Sequence, residues 1–406
     1  MRIIYLHQYF NTPEMSGGTR SYEMARRLVA SGHEVHLVTT WRAGATDQRT
    51  WFETVESGIH VHWLPLPYSN YMSYQKRIMV FLRFAFSSAI KAASLKGDIV
   101  FATSTPLTIA LPGLYASMCN RIPMVFEVRD LWPEVPIAMG VIKNPLLIRL
   151  ARKLEKITYK RSSAIVALAP GMKIAICNQG IDSSKVHVIP NGSDFDIFSN
   201  QDIEPADLPG FDNGNIAILY LGTMGVANGV SYIPRLASEL RRLTGKDVFK
   251  FYLLGDGAKR NEVEKLAESL GVLNNSVFFI GRIPKHEVAR WLAAADATIM
   301  TYDGPEVVFR DSVSNKFFDS LASRKPVIAN FAGFSTLTAT EVGAGFIISR
   351  DPATAARSLI ELSKDTDVFV NAGAAAFNLA QQRFSRDHLA KQLEEVIINV
   401  VEKNHL

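Results

Sequence analysis

Cysteine is scarce: Cys119 and Cys177 are the only two in 406 residues. Two thiols cannot form a four-cysteine metal site or a disulfide framework, so two reduced, buried thiols in a cytosolic protein are expected. The opening Met1-Arg2-Ile3-Ile4-Tyr5-Leu6-His7-Gln8 is too short and too polar for a signal peptide. Long apolar runs are lacking as well. The longest uncharged stretch, Ile99 to Asn120, has the length of a membrane span but contains Pro106, Pro112 and several hydroxyls. It reads as a buried strand followed by a helix. The nine histidines show no H-E-x-x-H or related spacing, so no metal site is expected. There is no Ser or Cys nucleophile motif. Zinc-finger spacing, an RNP-like aromatic motif and a basic recognition helix are all missing, which argues against nucleic acid as a partner. A composition of 48% hydrophobic and 20% charged residues excludes disordered, coiled-coil and collagen-like classes.

What is present is a chain long enough for two α/β domains with sizeable cores. Its net charge of +5 hides an asymmetry. Residues 1–190 hold 22 Lys/Arg and 12 Asp/Glu, a balance of +10; the remainder holds 22 and 27, a balance of −5. Such a split suggests two halves with different partners, the basic one suited to anionic lipid or a phosphorylated substrate.

Apolar β-branched runs alternate with helix-period segments. Strands are predicted at 2–6, 34–39, 59–64, 98–102, 123–128, 164–168 and 186–189, and helices at 19–31, 71–96, 105–119, 145–160 and 170–179. The polar, acidic, Pro-containing stretch 199–213 then reads as a linker. Strands follow at 216–221, 249–254, 276–280, 297–301, 326–329 and 345–348. Helices follow at 229–242, 257–270, 285–295, 314–323 and 352–364, with a helical tail broken near Phe384-Ser385. The expected domains are 1–198, 214–383 and a C-terminal helix, 384–406, returning to the first domain. The fold class is α/β: two Rossmann-like, doubly wound parallel sheets facing a central cleft.

Three constellations can carry chemistry. Gly17 and Gly18 precede the first helix, where a backbone can approach a phosphate. This is neither a G-x-G-x-x-G nor a Walker A pattern. Val128-Arg129-Asp130-Leu131-Trp132-Pro133-Glu134 puts a dense charge cluster beside Trp132 at a strand's carboxyl end, where α/β sites sit. Arg129 and Asp130 could instead pair only with each other. In the third, Ser314 is a candidate helix N-cap and Phe317, Phe318 and Leu321 face the core. Asn315, Lys316 and Asp319 then lie on or near the other face, with Asp311 eight residues before Asp319. A helix start carrying Lys316 suits a diphosphate, and Asp319 suits ribose hydroxyls. The alternative is that Asp311 and Ser314 cap the helix and Lys316–Asp319 is a surface pair.

Over nearly its whole length the chain resembles glycosyltransferase family 4 of GT-B fold. The carriers are Pro13-Glu14-Met15-Ser16-Gly17-Gly18-Thr19-Arg20 with Gly32-His33-Glu34-Val35, the Val128–Glu134 motif, Val188-Ile189-Pro190-Asn191-Gly192-Ser193-Asp194, and Ser314–Asp319 followed by Lys325-Pro326-Val327-Ile328. It is most similar to a bacterial O-antigen and capsule subgroup that includes N-acetyl-L-fucosamine transferases. The family usually has two glutamates eight apart around the last helix; here they are Asp311 and Asp319. Many members have basic residues after the first strand of the second domain. Here Leu221-Gly222-Thr223-Met224-Gly225-Val226-Ala227-Asn228-Gly229 has none.

The resemblance implies a retaining, metal-independent transfer of a sugar from a UDP-sugar to a lipid-linked saccharide. An N-acetylated 6-deoxyhexose is a candidate sugar, and no cofactor is implied. Asp311, Arg129 and Asp130 would stand at the reacting centre. Gly17, Gly18, Arg282, Ser314, Asn315, Lys316 and Asp319 would hold the nucleotide sugar, and Glu14, Arg20, Trp132 and Glu134 the acceptor side. A sugar-nucleotide epimerase of the same fold is the alternative, although its usual acid/base carboxylates and histidine are not recognisable here. The segment Tyr71–Lys96 carries Lys76, Arg77, Arg83, Lys91 and Lys96 and no acid, and Lys143–Arg161 carries seven basic residues against Glu155 alone. Both fit basic amphipathic helices on an anionic membrane surface, on the inner face of the cell membrane, meeting a polyprenyl-diphosphate-linked acceptor. The alternative is an ordinary helix packed on its sheet.

Overall fold

The structure is a computed structural model and describes residues 1–15, 17–42, 48–68, 72, 74–199, 202–212 and 214–405. Ser16, Tyr71 and the linker positions Asn200, Gln201 and Asn213, named above, lie outside the described residues. By its internal contacts the chain forms two units, Met1–Pro190 with Arg386–Leu406, and Asn191–Ser385.

The first unit holds an eight-stranded sheet of β1 (Arg2–Leu6), β2 (Glu34–Trp41), β3 (Phe52–Glu56), β4 (Ile59–Pro65), β5 (Ile99–Thr103), β6 (Met124–Val128), β7 (Ala164–Ala167) and β8 (Val186–Val188). Their order is β3-β4-β2-β1-β5-β6-β7-β8. All neighbours run parallel except β3, which is antiparallel to β4. The central strands are buried along their length, as a parallel sheet covered on both faces requires. The sequence reading missed β3, because Phe-Glu-Thr-Val-Glu exposes alternate residues on a sheet edge and has no apolar run. Its signal was the two-residue turn Ser57-Gly58, both at positive φ, which joins it to β4 as a tight hairpin. The helix Pro145–Arg161 starts where Asn144 accepts from the backbone N–H groups of Leu146 and Leu147 and proline occupies the first turn. The last helix, Arg386–His405, lays Leu389, Leu393 and Ile397 against Met24 and Leu28 in this unit's core.

The second unit holds β9 (Ile216–Leu221), β10 (Phe249–Leu254), β11 (Val277–Gly281), β12 (Ala297–Met300), β13 (Val327–Ala329) and β14 (Gly345–Ile347), all parallel, in the order β11-β10-β9-β12-β13-β14. Its boundary falls at Asn191 rather than after 198. The Asn191 amide donates to the Val313 carbonyl, the Ser193 hydroxyl to Phe318 O (2.9 Å), and Lys285 to Asp194 (2.8 Å). Part of the expected linker is packed rather than free: Leu208 is buried with Phe198 and Tyr252, whose hydroxyl donates to Pro209 O. Short helices at Glu134–Ala138, Phe195–Phe198, Glu306–Phe309 and Phe334–Glu341 also escaped the periodicity reading.

The expectation of two buried thiols is corrected. Cys119 is exposed and Cys177 partly buried, both free. Cys119 lies on the helix Ala110–Asn120, whose inner face is taken by Ala110, Pro112, Gly113 and Ala116.

Candidate functional site

Each sheet has one place where the winding reverses: between β1 and β5 in the first unit, and between β9 and β12 in the second. Open α/β sheets bind ligands outside the carboxyl ends of their strands at such points.

In the second unit β9 ends at Leu221 and the chain enters Gly222. Glycine is required along this rim. A Cβ on Gly255, after β10, would stand 1.9 Å from Gly222 O, and one on Gly257 2.6 Å from Met224 O. The helix Asn315–Ala322 buries Phe317, Phe318 and Leu321 and leaves Asn315, Lys316 and Asp319 partly exposed. Lys316 crosses to the β9 side. Its ammonium stands 4.7 Å from the centre of the Tyr220 ring and 5.8 Å from that of Tyr302, and its Cδ lies beside Gly222. Burial lowers its pKa to about 8. The surface pair Lys316–Asp319 considered above is therefore not what this lysine does. Ser314 stands at the N-cap position but its side chain makes no capping bond, and the Asn315 amide oxygen is buried without a hydrogen bond. Asp311 is buried and takes Arg310 as its ion-pair partner at 3.0 Å. Its loop is held by Ser335, which donates to Ser312 O (2.6 Å), and by the Tyr302–Ser312 hydroxyl pair (3.0 Å). Arg282 follows edge strand β11 and faces Asp256 at 3.6 Å, its side chain more than half exposed.

In the first unit Gly17 sits at φ +135°, with Asn11 filling the space a side chain would need. The Asn11 amide donates to Gly18 O (3.3 Å) and closes the loop between β1 and the first helix on itself. Arg129 and Asp130 do not pair with each other. Arg129 donates to His7 Nε2 (3.2 Å), and Asp130 accepts from the Thr105 hydroxyl (3.0 Å). Glu14 is exposed, Trp132 partly buried, and Glu134 makes a two-bond exposed pair with Arg152 (2.9 and 3.2 Å).

Arg20 corrects the acceptor-side assignment. It is fully buried and reaches inward to Glu127, also fully buried, with Nε and Nη2 at 3.1 and 2.8 Å from one carboxylate oxygen. It also donates to Pro190 O (2.6 Å) and Ile189 O (3.0 Å), and Thr103 donates to the second Glu127 oxygen (2.6 Å). Burial pushes the Glu127 carboxyl up, but Arg20, with Arg129 and Thr103, outweighs it and holds the group below the usual range. The Arg20 donors are committed to these inward partners, with β6 and the β8 exit enclosing the guanidinium.

The sequence reading also passed over His7 and Gln8. Both are buried just past β1, and His7 Nδ1 and the whole Gln8 side-chain amide have no hydrogen-bond partner. A polar pair ending an otherwise apolar strand was the available signal.

The surface of the first unit adds a second feature. On the helix Tyr74–Ser94 the inward residues are Phe84, Ala85, Ser88 and Ala92, while Met79, Leu82, Phe86 and Ile90 face outward, Phe86 at 73% exposure. The neighbouring helix Ala110–Asn120 exposes Leu111, Tyr115 and Met118, and Pro145–Arg161 exposes Leu146, Leu147, Leu150 and Ile157. The same helices also expose basic residues: Lys76 and Arg83 on Tyr74–Ser94, and Arg149, Lys153, Lys156 and Lys160 on Pro145–Arg161. Lys91 does not belong to this set, being turned to Glu53 at 2.9 Å. Among the described residues no helix is long and apolar enough to cross a membrane.

A Glycosyl transferase 4-like domain matches residues 17–192, and the Glycosyl transferases group 1 domain matches residues 215–365. A probable glycosyltransferase of Pseudomonas aeruginosa, WbjE, is 25% identical over 256 residues, 62% of this chain and 61% of the relative, so the match spans less than two thirds of that protein. Among solved structures, the sucrose-phosphate synthase of Thermosynechococcus elongatus superposes with a TM-score of 0.78 at 15% identity, over 99% of both chains. Anabaena HepE in complex with UDP does so at 0.69 and 15%, over 98% of this chain and 100% of that one. WaaG, a glycosyltransferase involved in lipopolysaccharide biosynthesis, does so at 0.67 and 15%, over 98% and 99%. With two doubly wound units and these matches across both, the chain belongs to the family-4-like glycosyltransferases of GT-B fold.

Proposed function

We propose that the protein is a retaining glycosyltransferase of bacterial surface-polysaccharide assembly, taking a UDP-sugar as donor and a lipid-linked saccharide as acceptor. The observation that carries this reading is Lys316, an ammonium at the β9/β12 switch point beside Gly222. A leaving diphosphate needs positive charge in a water-poor place. Lys316 supplies it where the glycine-rich segment after β9 has no basic residue of its own. Asp319, one turn further along, suits the ribose, and Asp311 suits the sugar hydroxyls. In the reaction the bond from the sugar's anomeric carbon to the diphosphate breaks. The acceptor oxygen bonds to the same face of that carbon, and its proton passes to the leaving phosphate. HepE and WaaG, named above for UDP and for lipopolysaccharide biosynthesis, support the donor class and the setting.

The exposed apolar and basic face of the first unit supports a membrane-borne acceptor. Exposed apolar and basic side chains on the same helices suit an anionic bilayer surface, with attraction of about 1 kcal/mol per basic residue that fades with salt. The test pairs two measurements on the intact protein. One screens UDP-sugars for transfer to a prenyl-diphosphate saccharide; interconversion of the donor without acceptor would instead identify an epimerase. The other is co-sedimentation with anionic liposomes at low and high salt. Wild type should sediment at low salt, and Arg83→Glu/Phe86→Glu should not. Equal sedimentation of the two refutes the docking face.

A further inference from the structure

His7 leaves the last turn of β1 with its backbone N–H still bonded to Val38 O (3.2 Å) and its ring 3% exposed. Arg129 Nη1 lies 3.2 Å from His7 Nε2. A guanidinium has donors and no acceptor, so Nε2 must present its lone pair. The ring's proton is thereby forced onto Nδ1, and Nδ1 is buried without a partner. Burial holds this imidazole well below its ordinary pKa, and the charged groups acting on it, Arg129 after β6 and Arg42 after β2, are both cationic and push the same way. Arg42 stacks on the Tyr9 ring (5.1 Å), donates to Asn11 Oδ1 (2.7 Å), and keeps a buried Nε with no partner. Two buried donors lacking acceptors, His7 Nδ1 and Arg42 Nε, thus stand at the carboxyl ends of β1 and β2, around the first unit's switch point, with the Arg129 guanidinium beside His7 at the end of β6. Buried donors of this kind are costly unless something supplies oxygen.

We propose that the first unit has its own oxyanion site, in which a phosphoryl group accepts from His7 Nδ1 and the Arg129 guanidinium, with Arg42 adding positive potential. The inference deepens the glycosyltransferase reading, on which it rests for the choice of phosphate as the anion. Two sources share that chemistry: the diphosphate of the nucleotide sugar and that of a prenyl-linked acceptor.

The experiment titrates intact wild type, His7→Phe and Arg129→Met with UDP, farnesyl diphosphate and inorganic pyrophosphate by calorimetry. Both variants should weaken either UDP or farnesyl diphosphate at least tenfold and leave the other within twofold, which names the source; pyrophosphate should weaken with them. Affinities within twofold of wild type for all three probes overturn the site. Because His7→Phe can fail to fold, wild-type histidine ¹⁵N spectra provide a second test. The His7 ring should show the Nδ1–H tautomer and shift on adding pyrophosphate; an Nε2–H tautomer or no shift overturns the proposal. Sugar transfer is measured separately. A wild type that passes both binding tests and transfers no sugar sinks the glycosyltransferase reading while leaving the oxyanion site, and transfer with unchanged probe binding does the reverse.

Discussion

Arg20→Leu offers the sharpest test of how the first unit is held together. The substitution removes the ion-pair partner at 2.8 Å from a fully buried Glu127 and strips donors from the Pro190 and Ile189 carbonyls. Glu127 would keep Thr103 as a donor but lose the charge that offsets its burial. Removing one member of a buried pair costs about 3–5 kcal/mol. For a unit of roughly two hundred residues this lowers the melting temperature by about 6–20 °C. Glu127→Leu should cost a similar amount for the mirror reason, since Arg20 would be stranded with two carbonyls. The double variant, with neither charge, should be more stable than either single one, because the desolvation penalty disappears with the pair. Urea unfolding followed by tryptophan fluorescence suits the measurement. Trp41, Trp51, Trp63 and Trp132 lie in the first unit and Trp291 alone in the second, so the first unit's transition dominates the signal. A single-variant cost below about 1 kcal/mol, or a double variant as unstable as the sum of the singles, would refute the reasoning.

Affinity for UDP should fall about tenfold per pH unit above about 8, because the folded Lys316 loses its proton there and a diphosphate binds the protonated form; Lys316→Arg should flatten that slope in calorimetry from pH 7 to 9.5. Asp319→Ala should weaken UDP binding, whereas Asp311→Asn should leave it nearly intact and cut turnover at least ~10²-fold; equal loss of affinity in both ends the division of roles. Transfer activity should survive EDTA, with Lys316 and the helix start bearing the diphosphate charge; loss restored by Mg²⁺ would count against that site. Acid should loosen the first unit: burial holds His7 well below its ordinary pKa and His62 at about 4, so the unfolded chain binds more protons below about 6.5. Stability is then full above that pH and lost on acidification at about 1.4 kcal/mol per unit per histidine, and His62→Gln should reduce the slope.

Much of this molecule was legible along the chain. The two β-α series, the helix starting at Pro145 and the break at Phe384-Ser385 are local patterns, set by side-chain period, capping and turn chemistry within a few residues. So were Gly17-Gly18 and the helix carrying Lys316 and Asp319. Tertiary structure decided what depends on partners far off in sequence. Arg20 meets Glu127 across 107 positions, and that contact turned a surface-looking arginine into a buried structural one. Lys316 leans on Tyr220 and Gly222, nearly a hundred residues earlier, because the β9–β12 pairing brings the two strands side by side. Strand β3 exists because β4 offers an edge, and the outward turn of Leu82, Phe86 and Ile90 follows from which face of their helix the sheet accepts. Period tells which residues share a face; only packing tells which face is covered. The His7 proton shows the same division: the residue was plain in the sequence, but its tautomer is dictated by an arginine 122 positions away that can donate and cannot accept.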